Sequence, residues 1–314
     1  MMMVPLLIGI TFLTFLIMQL APGRPTDMVT DLNTKMSPDA KQKLIALYGL
    51  DQPYPVQYLS WIKRTMRLDF GRSFKDERPV IQKISERLPA TLLLNILSLG
   101  VIVVLALFIG LISALYKNSI FDRLCTVGVY IGFSAPTFWI ALLCMIFFGL
   151  KLGWLPISGL HSFNYDSFSA TEKIFDVLKH LVMPVLVGAL TGLASLSRYM
   201  RSSAIEIIRQ DYIRAATARG VSKSGIIFHH VFKNALIPVV TLLGLMLPDL
   251  IGGSFIFETI FAYPGMGRLG YDAIMARDYP VLMGIGTIVA FLTLFGNLVA
   301  DICYAWADPR IRYR

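Results

Sequence analysis

Residues 90–116 read ATLLLNILSLGVIVVLALFIGLISALY and contain no charged side chain. Because an α-helix rises about 1.5 Å per residue, roughly twenty apolar residues are enough to cross a hydrocarbon core of about 30 Å. Further uncharged runs occur at residues 1–20, 124–150, 181–197 and 279–300, and a run at about 235–257 carries one acid, Asp249. The sequence therefore predicts an all-α, polytopic membrane protein with six transmembrane helices.

The composition of the chain supports the same class. Of 314 residues, 55% are hydrophobic and 16% are charged, whereas soluble domains carry roughly 25% charged residues. Cys125, Cys144 and Cys303 lie in apolar segments without short spacing, so we expect packing residues and neither a disulfide framework nor a metal site. The net charge of +9 is typical of basic loops that set topology, and we expect no nucleic-acid partner because aromatic residues do not alternate with the basic ones.

The distribution of Lys and Arg predicts the orientation in the membrane. Six spans place both termini on one side, where the short segments carry twelve basic residues, against five on the opposite side. The positive-inside rule then places both termini in the cytoplasm. Residues 21–89 carry twelve more basic residues and would lie outside, but segments longer than about 60 residues translocate largely regardless of charge. The abrupt apolar start leads us to expect a few residues upstream of Met1.

The predicted spans divide the chain into three parts, namely a first transmembrane helix at 1–20, an extracytoplasmic helical loop at 21–89, and a membrane core at 90–314. Within the loop, Ser37-Pro38-Asp39 predicts the start of a helix that Gly49 would end. A second amphipathic helix is predicted at 56–66 from the spacing of Val56, Leu59, Ile62 and Met66. Covering the outer mouth of the core and binding an external partner are both open roles for these helices.

The segment at about 198–234, between the fourth and fifth spans, has a pattern of its own. Over residues 203–219, apolar side chains recur every three or four positions, at Ile205, Ile208, Tyr212 and Ala216. This spacing predicts one amphipathic helix on the inner membrane face. Gly220 suits the left-handed residue that ends a helix, and Ser222 suits the N-cap of a second helix. A helix that lies passively in the lipid interface is the alternative.

This segment also resembles a known signature. Residues 211–220, DYIRAATARG, followed by Asn234-Ala235-Leu236-Ile237-Pro238, are similar to the cytoplasmic Glu-Ala-Ala, three residues, Gly motif of binding-protein-dependent ABC importer permeases. Ala215, Ala216 and Gly220 match that motif in register. Arg214 stands where the motif has glutamate, and the stretch from Gly220 to Pro238 is longer than in sugar importers. Both departures are usual in the dipeptide, oligopeptide and nickel branch.

Eight further strings are similar, in order and context, to the B-type membrane subunit of that branch. They are Leu20-Ala21-Pro22-Gly23, Leu50-Asp51-Gln52-Pro53, Asp69-Phe70-Gly71, Arg87-Leu88-Pro89-Ala90-Thr91, Ser134-Ala135-Pro136-Thr137-Phe138-Trp139, Glu258-Thr259-Ile260-Phe261 with Pro264-Gly265-Met266-Gly267, Arg277-Asp278-Tyr279-Pro280, and Asp308-Pro309-Arg310-Ile311. The resemblance therefore covers nearly the whole chain.

The resemblance implies a type I ABC importer permease in a bacterial or archaeal cytoplasmic membrane. Its partners would be a homologous permease subunit in a heterodimer, with a homodimer as the alternative, two cytosolic P-loop ATPase subunits and an extracytoplasmic solute-binding protein. This chain would be non-catalytic, and because the phosphate-loop pattern is absent from it, ATP and Mg would be bound by the ATPase partners. Dipeptides and oligopeptides are the expected substrates, with nickel chelates, glutathione and oligosaccharides as alternatives.

Three groups of residues are candidates for function. Contact with the ATPase is expected at a coupling loop made of Arg214, Ala215, Ala216, Arg219, Gly220, Val221 and Ser222. Asp249, in the predicted fifth span, is a candidate for the translocation pathway because an acid in hydrocarbon is costly; pairing with a neighbouring helix is the structural alternative. The turn formed by Pro264, Gly265, Met266 and Gly267 is a candidate docking site for the solute-binding protein. His229 and His230 would diverge by about 100° on a helix, so we predict no metal site.

Two other classes of protein compete with this interpretation. An ion-coupled secondary transporter would place ionisable groups near the midplane, where Asp249 is the one clear candidate. An intramembrane enzyme would need a nucleophile with a base, or a metal motif. Residues 132–136, GFSAP, do not match the nucleophile elbow, and His-Glu-x-x-His does not occur.

Overall fold

The computed structural model describes residues 3–20 and 51–307. The helix predicted from Ser37 to Gly49 lies outside these ranges. Within them, the regular elements are helical, apart from an isolated antiparallel bridge between Arg72 and Pro79. The second helix predicted in the loop is present, from Tyr54 to Thr65.

The described helices are numbered here in chain order. They are α1 (Met3–Leu20), α2 (Tyr54–Thr65), α3 (Val80–Leu115), α4 (Ile120–Ser134), α5 (Thr137–Cys144, continued by a π-helical turn at Met145–Lys151), α6 (Ala170–Ile208), α7 (Asp211–Ala218), α8 (Lys223–Gly225, continued by a π-helical stretch at Ile226–Phe232), α9 (Lys233–Met246), α10 (Phe255–Ile260), α11 (Met266–Met275) and α12 (Tyr279–Ala307). Short 3₁₀ turns lie at Tyr165–Ser167 and Pro248–Leu250.

Five of the described helical segments are long and apolar enough to cross a membrane, namely Met3–Leu20, Val80–Leu115, Ala170–Ile208, Lys223–Met246 and Tyr279–Val299. A sixth candidate consists of Ile120–Ser134 and Thr137–Lys151, which are bent by 103° relative to each other. The bend follows from Pro136, because a proline disfavours helical geometry in the residue before it, and Ala135 is extended, with φ −78° and ψ 137°. The predicted all-α membrane fold is confirmed for the described residues, with five spanning helices and a sixth span if the bent pair crosses the membrane as one unit.

The boundaries predicted for the fifth span were wrong. The helical segment begins at Lys223 and ends at Met246, and a 3₁₀ turn at Pro248–Leu250 follows. Pro248 has no N–H to donate, so it favours the end of a helix just before it. Asp249 therefore lies beyond the last turn of the spanning helix, and the predicted acid within a transmembrane helix is not found.

The chain divides into two compact units, of which the first comprises residues 1–91, 251–259 and 264–295. In this unit α2 packs on α1, where the Tyr58 hydroxyl lies 3.0 Å from Thr11 Oγ1 and its ring is 5.5 Å from that of Phe12. The start of α3, α11 and the start of α12 share a core formed by Phe70, Val80, Ile84, Met266, Leu269, Ala273 and Val281.

The apolar stripe that predicts α2 is largely exposed. Leu59 is 65% exposed and Met66 is 74% exposed, whereas Trp61 is 8% exposed. Aromatic contacts decide the orientation, because the Tyr58 ring packs against α1 and stacks on Trp61 at a centroid distance of 6.2 Å. Of the aliphatic stripe, Val56, Leu59 and Met66 are exposed and Ile62 is half-buried.

The second unit comprises residues 92–250, 260–263 and 296–314. Its core lies between α3, α6, α7, the π-helical stretch and α9, and consists of Ile102, Ala106, Ala114, Ala189, Leu196, Met200, Ala204, Ile213, Val231, Ala235 and Val239. Gly110 permits the close approach of α3 to α6, since a Cβ there would lie 2.7 Å from the Ser197 carbonyl oxygen. Arg201 of α6 also binds Asp122 of α4, with an Nε to Oδ1 distance of 2.7 Å.

Candidate coupling element

The candidate coupling element is residues 211–225, which follow directly on α6. The predicted single amphipathic helix over 203–219 was wrong, because α6 ends at Ile208 and α7 begins at Asp211. Gln210 separates them with extended geometry, φ −70° and ψ 147°. The break turns α7 relative to α6, so that Ile213 is buried and Tyr212 is exposed.

A tight turn ends α7 as predicted, with Gly220 in the left-handed region at φ +80°. The Gly220 N–H donates to the Thr217 carbonyl at 3.0 Å, and the Val221 N–H donates to the Ala216 carbonyl at 3.2 Å. This pair of bonds is a Schellman motif, in which the left-handed position favours glycine because it carries no Cβ. The backbone of Gly220 therefore fixes the direction in which the chain leaves α7.

Ser222 caps the next helix, also as predicted. Its Oγ accepts a hydrogen bond from the Gly225 N–H at 3.2 Å, and its carbonyl accepts from the Ile226 N–H at 2.9 Å. From there the chain runs through the π-helical stretch into α9 without a break. The expected sequence of helix, tight turn and helix is confirmed.

The element is anchored to the spanning helices on both sides. Ile213 is buried in the core that also contains Met200 of α6 and Val231 of the π-helical stretch. Asn234 Nδ2 of α9 donates to the Tyr212 hydroxyl at 3.4 Å and to the His230 carbonyl at 2.7 Å. Because packed side chains transmit displacement, a force on α7 would reach both α6 and α9.

The predicted coupling residues divide into two groups. Arg214, Ala215, Arg219, Gly220, Val221 and Ser222 are exposed, whereas Ala216 is 1% exposed. The predicted contact of Ala216 with a partner protein is not supported, since its methyl group is buried within this chain. Ala215 is the alanine of the motif that remains accessible.

The exposed surface of the element is basic. Arg214 lies 3.4 Å from Asp211, but their side chains are 76% and 95% exposed, and such surface pairs contribute little. Arg219 donates from Nε to the Ala215 carbonyl at 3.4 Å. Two arginines therefore flank Ala215 and can serve an acidic or hydrogen-bonding partner surface.

Asp249, the candidate for the translocation pathway, is exposed in the 3₁₀ turn after α9. The amide of Asn95 on α3 donates to the Leu250 carbonyl at 2.8 Å and to the Asp249 carbonyl at 3.4 Å. These bonds hold the backbone of the turn and leave the Asp249 carboxylate outside them. A role of Asp249 in the pathway stays a prediction.

The candidate docking turn is largely buried. Gly265, Met266 and Gly267 are buried, and Pro264 is half-buried. A Cβ on Gly265 would collide with the carboxylate of Glu258 and lie 2.5 Å from Thr91 Oγ1. Three of the four residues therefore serve packing within this chain, and docking of a binding protein there stays a prediction that their burial does not support.

Glu258 is a residue that sequence reasoning did not single out. Its side chain is 1% exposed and accepts hydrogen bonds from Thr91 Oγ1 at 3.2 Å and from the Arg268 N–H at 3.0 Å. It lies in α10, between the fifth and sixth spans. Burial raises the pKa of this carboxyl, and the hydrogen bonds from Arg268, Thr91 and neighbouring backbone only partly oppose that shift.

The signal for Glu258 was present but indirect. Glu258 and Thr91 both belong to strings that resemble the importer branch, and the structure brings those two strings together with the turn at 264–267. A short sequence motif does not show whether an acid within it is buried or exposed. Among the described residues, no group of three or more His, Cys, Asp or Glu side chains could hold a metal ion.

Five or six helical spans, with a capped helix–turn–helix leading into the segment Lys223–Met246, are the architecture of a polytopic membrane protein. Residues 106–313 match the family model described as binding-protein-dependent transport system inner membrane component, and residues 1–95 match the model for the N-terminal part of such membrane components. The chain belongs to the family of inner membrane components of binding-protein-dependent transport systems. The resemblance inferred from the sequence is thereby confirmed.

Several named proteins are similar to this chain over most of its length. The oligopeptide transport system permease protein AppB of Bacillus subtilis (strain 168) is 41% identical, over 99% of this chain and 97% of that protein. The dipeptide transport system permease protein DppB of Alkalihalophilus pseudofirmus is 36% identical, with the same two coverages. The inward-facing MetNI methionine ABC transporter is 17% identical with a TM-score of 0.56, over 73% of this chain and 97% of that chain, which shows a shared fold.

Proposed function

We propose that this chain is one of two permease subunits that form the translocation pathway of an ATP-driven importer of dipeptides and oligopeptides. Relatives named for oligopeptide and dipeptide transport, at 41% and 36% identity over the full chain, support the substrate class. Substrate is selected in the first place by an extracytoplasmic solute-binding protein. A second permease subunit completes the pathway.

In this proposal, the coupling element transmits the motion of the ATPase subunits to the spanning helices. Two cytosolic ATPase subunits bind ATP and Mg, close on them, and move the element that each contacts. A ligand shifts a conformational equilibrium only by its differential affinity for the two states, so ATP bound to another subunit must act on the spans through this contact. The anchoring of Ile213 in the core of α6 and α9 is the observation that supports this role.

This chain is non-catalytic in the proposed complex, and hydrolysis takes place in the ATPase subunits. Both termini lie in the cytoplasm, together with the coupling element. The basic side chains of that element, Arg214 and Arg219 among them, then lie on the cytoplasmic side, in agreement with the positive-inside rule.

The test is uptake of a labelled dipeptide by cells that express the complete transporter. Ala215→Asp places a charge on an exposed position of the coupling element, so we expect the complex to insert normally and uptake to fall at least tenfold. Ser202→Asp, exposed on α6 outside the element, is the matched control and should retain uptake. Wild-type uptake with Ala215→Asp would refute the coupling role, and uptake of a nickel chelate or an oligosaccharide in place of the dipeptide would refute the substrate class.

A further inference from the structure

A small crevice lies within the second unit, where α3, α4 and α6 meet, and it has a volume of about 160 Å³. Its polar lining comes from Ser113 of α3, Thr126 and Tyr130 of α4, and Ser197, Arg198 and Arg201 of α6. The lining holds two guanidinium groups and no carboxylate. The crevice is separate from the coupling element and from Asp249.

The two arginines are held differently. Arg201 donates to both oxygens of Asp122, from Nε at 2.7 Å and from a terminal nitrogen at 2.8 Å, and a guanidinium has three further N–H donors. The Arg198 guanidinium lies over the Tyr130 ring, 5.4 Å from its centre, and it makes no ion pair with the described residues. Asp122 balances the charge of Arg201, so the net positive charge of the crevice comes from Arg198, and both guanidinium groups have further N–H donors of the geometry that suits a phosphate.

Ser113 gives a second and independent indication of a ligand. Its side chain is 2% exposed, and its Oγ has no hydrogen-bond partner among the described residues. A buried hydroxyl without a partner is costly. Ser113 lines the crevice, and its hydroxyl is a donor that no described residue uses.

The surroundings of the crevice indicate the source of that acceptor. Phe108 of α3 and Val127 and Ile131 of α4 are exposed apolar side chains on spanning helices. Such surfaces are typical of helices in contact with acyl chains, and basic pockets between transmembrane helices bind anionic head groups. We propose that this crevice binds the phosphate group of an anionic phospholipid, with its acyl chains against the apolar surface of α3 and α4.

The experiment is a thermal-unfolding titration of the full chain, purified together with its transporter partners. Dioctanoyl phosphatidylglycerol is the probe, with dioctanoyl phosphatidylcholine and inorganic phosphate as comparisons. We expect phosphatidylglycerol to raise the unfolding temperature, and phosphatidylcholine and inorganic phosphate to do so at least tenfold less effectively. Arg198→Gln should lower the affinity for phosphatidylglycerol roughly tenfold, since a charge-assisted hydrogen bond and a unit charge are lost.

Arg123→Gln is the matched control, because Arg123 is exposed on α4 outside the crevice. It removes the same charge and should change the affinity less than twofold. If Arg198→Gln fails to fold, Arg198→Lys takes its place, and native mass spectrometry of the wild-type complex should then show more retained phosphatidylglycerol than in that variant.

Three results would overturn the proposal. Equal stabilisation by inorganic phosphate would assign the crevice to a soluble anion. An equal loss of affinity for phosphatidylglycerol in Arg198→Gln and Arg123→Gln would show that the effect comes from general surface charge. Stabilisation of the chain alone, but not of the assembled complex, would show that a protein subunit covers this surface.

Discussion

At the residue scale, Gly220 determines how the coupling element ends. It adopts φ +80°, and a Cβ there would meet nothing within 4 Å. Glycine is therefore favoured at this position by the backbone conformation and not by a lack of room for a side chain. A residue with a Cβ pays about 1–2 kcal/mol for this conformation, and asparagine pays less. That cost corresponds to roughly a 5–30-fold change in the population of the turn.

Gly220→Leu should therefore reduce dipeptide uptake several-fold in the assembled transporter, while Gly220→Asn retains most of it. In the same preparations, ATP hydrolysis by the complex should become independent of dipeptide transport in the leucine variant. In the asparagine variant it should stay coupled to transport. An equal loss of uptake in both variants would point to a lost contact surface and would contradict the backbone account.

Glu258 predicts a dependence of stability on pH. Burial raises the pKa of its carboxyl above the ordinary value of 4.5, so between pH 4.5 and the folded pKa the folded state binds more protons than the unfolded state. The free energy of unfolding then falls as pH rises through that range. The contribution of this carboxyl to the free energy of unfolding is fully present below pH 4.5.

The measurement is thermal unfolding of the purified protein between pH 4.5 and 8, for the wild type and for Glu258→Gln. We expect the unfolding temperature of the wild type to fall with pH more steeply than that of the variant. Asp272→Asn, an exposed carboxyl of α11, should retain the wild-type slope. A wild-type slope in Glu258→Gln would show that this carboxyl does not titrate between pH 4.5 and 8.

At the scale of helices, the pair of Asp122 and Arg201 holds α4 to α6. The side chain of Asp122 is 4% exposed and that of Arg201 is 30% exposed, and Asp122 Oδ2 also accepts from the Asn118 N–H at 2.9 Å. Removing one partner of a buried pair leaves the other charge unpaired, which destabilises strongly. Water around Arg201 reduces the effect.

Asp122→Asn should lower the free energy of unfolding by about 1–3 kcal/mol, less than for a fully buried pair. Chemical denaturation of the purified chain in detergent measures it. Asp166→Asn, which changes an exposed carboxyl in the same unit, should have an effect below about 0.5 kcal/mol. Equal midpoints for the two variants would mean that this pair does not hold the helices.

The sequence predicts the helices better than their ends and faces. Apolar runs identified the five long spanning helices and the bent pair at 120–151, because a span needs length and composition, which are local. The break between α6 and α7 was missed, since the spacing of Ile205, Ile208 and Tyr212 suits one continuous helix equally well. In α2, ring contacts between Tyr58, Phe12 and Trp61 decide which side packs, and no local pattern encodes that choice.

The candidate site shows the same limit. The Gly220 turn and the Ser222 cap were predictable because each depends on neighbours within four residues. The burial of Ala216 was not predictable because it depends on tertiary packing and not on the local sequence. Glu258 was overlooked for the same reason, since its partner Thr91 is 167 residues away.

At the scale of the whole molecule, the orientation of the chain is open to a direct test. Cys125, Cys144 and Cys303 are first replaced by alanine, and single cysteines are then placed at the exposed positions Lys117 and Asn164. With both termini in the cytoplasm, a membrane-impermeant maleimide added to intact cells should label position 164 and should label position 117 only after permeabilisation. The reverse pattern would invert the topology and place the coupling element outside.

The contact between the coupling element and an ATPase is the central claim, and one cross-linking measurement tests it most directly. A photoreactive amino acid is incorporated at Ala215, or at Asn164 as control, in the transporter expressed with all its subunits, and adducts are identified by mass spectrometry. We predict an adduct with a P-loop ATPase subunit from position 215 and none from position 164. An ATPase adduct from position 164, or none from position 215 in an assembled complex, would contradict the account.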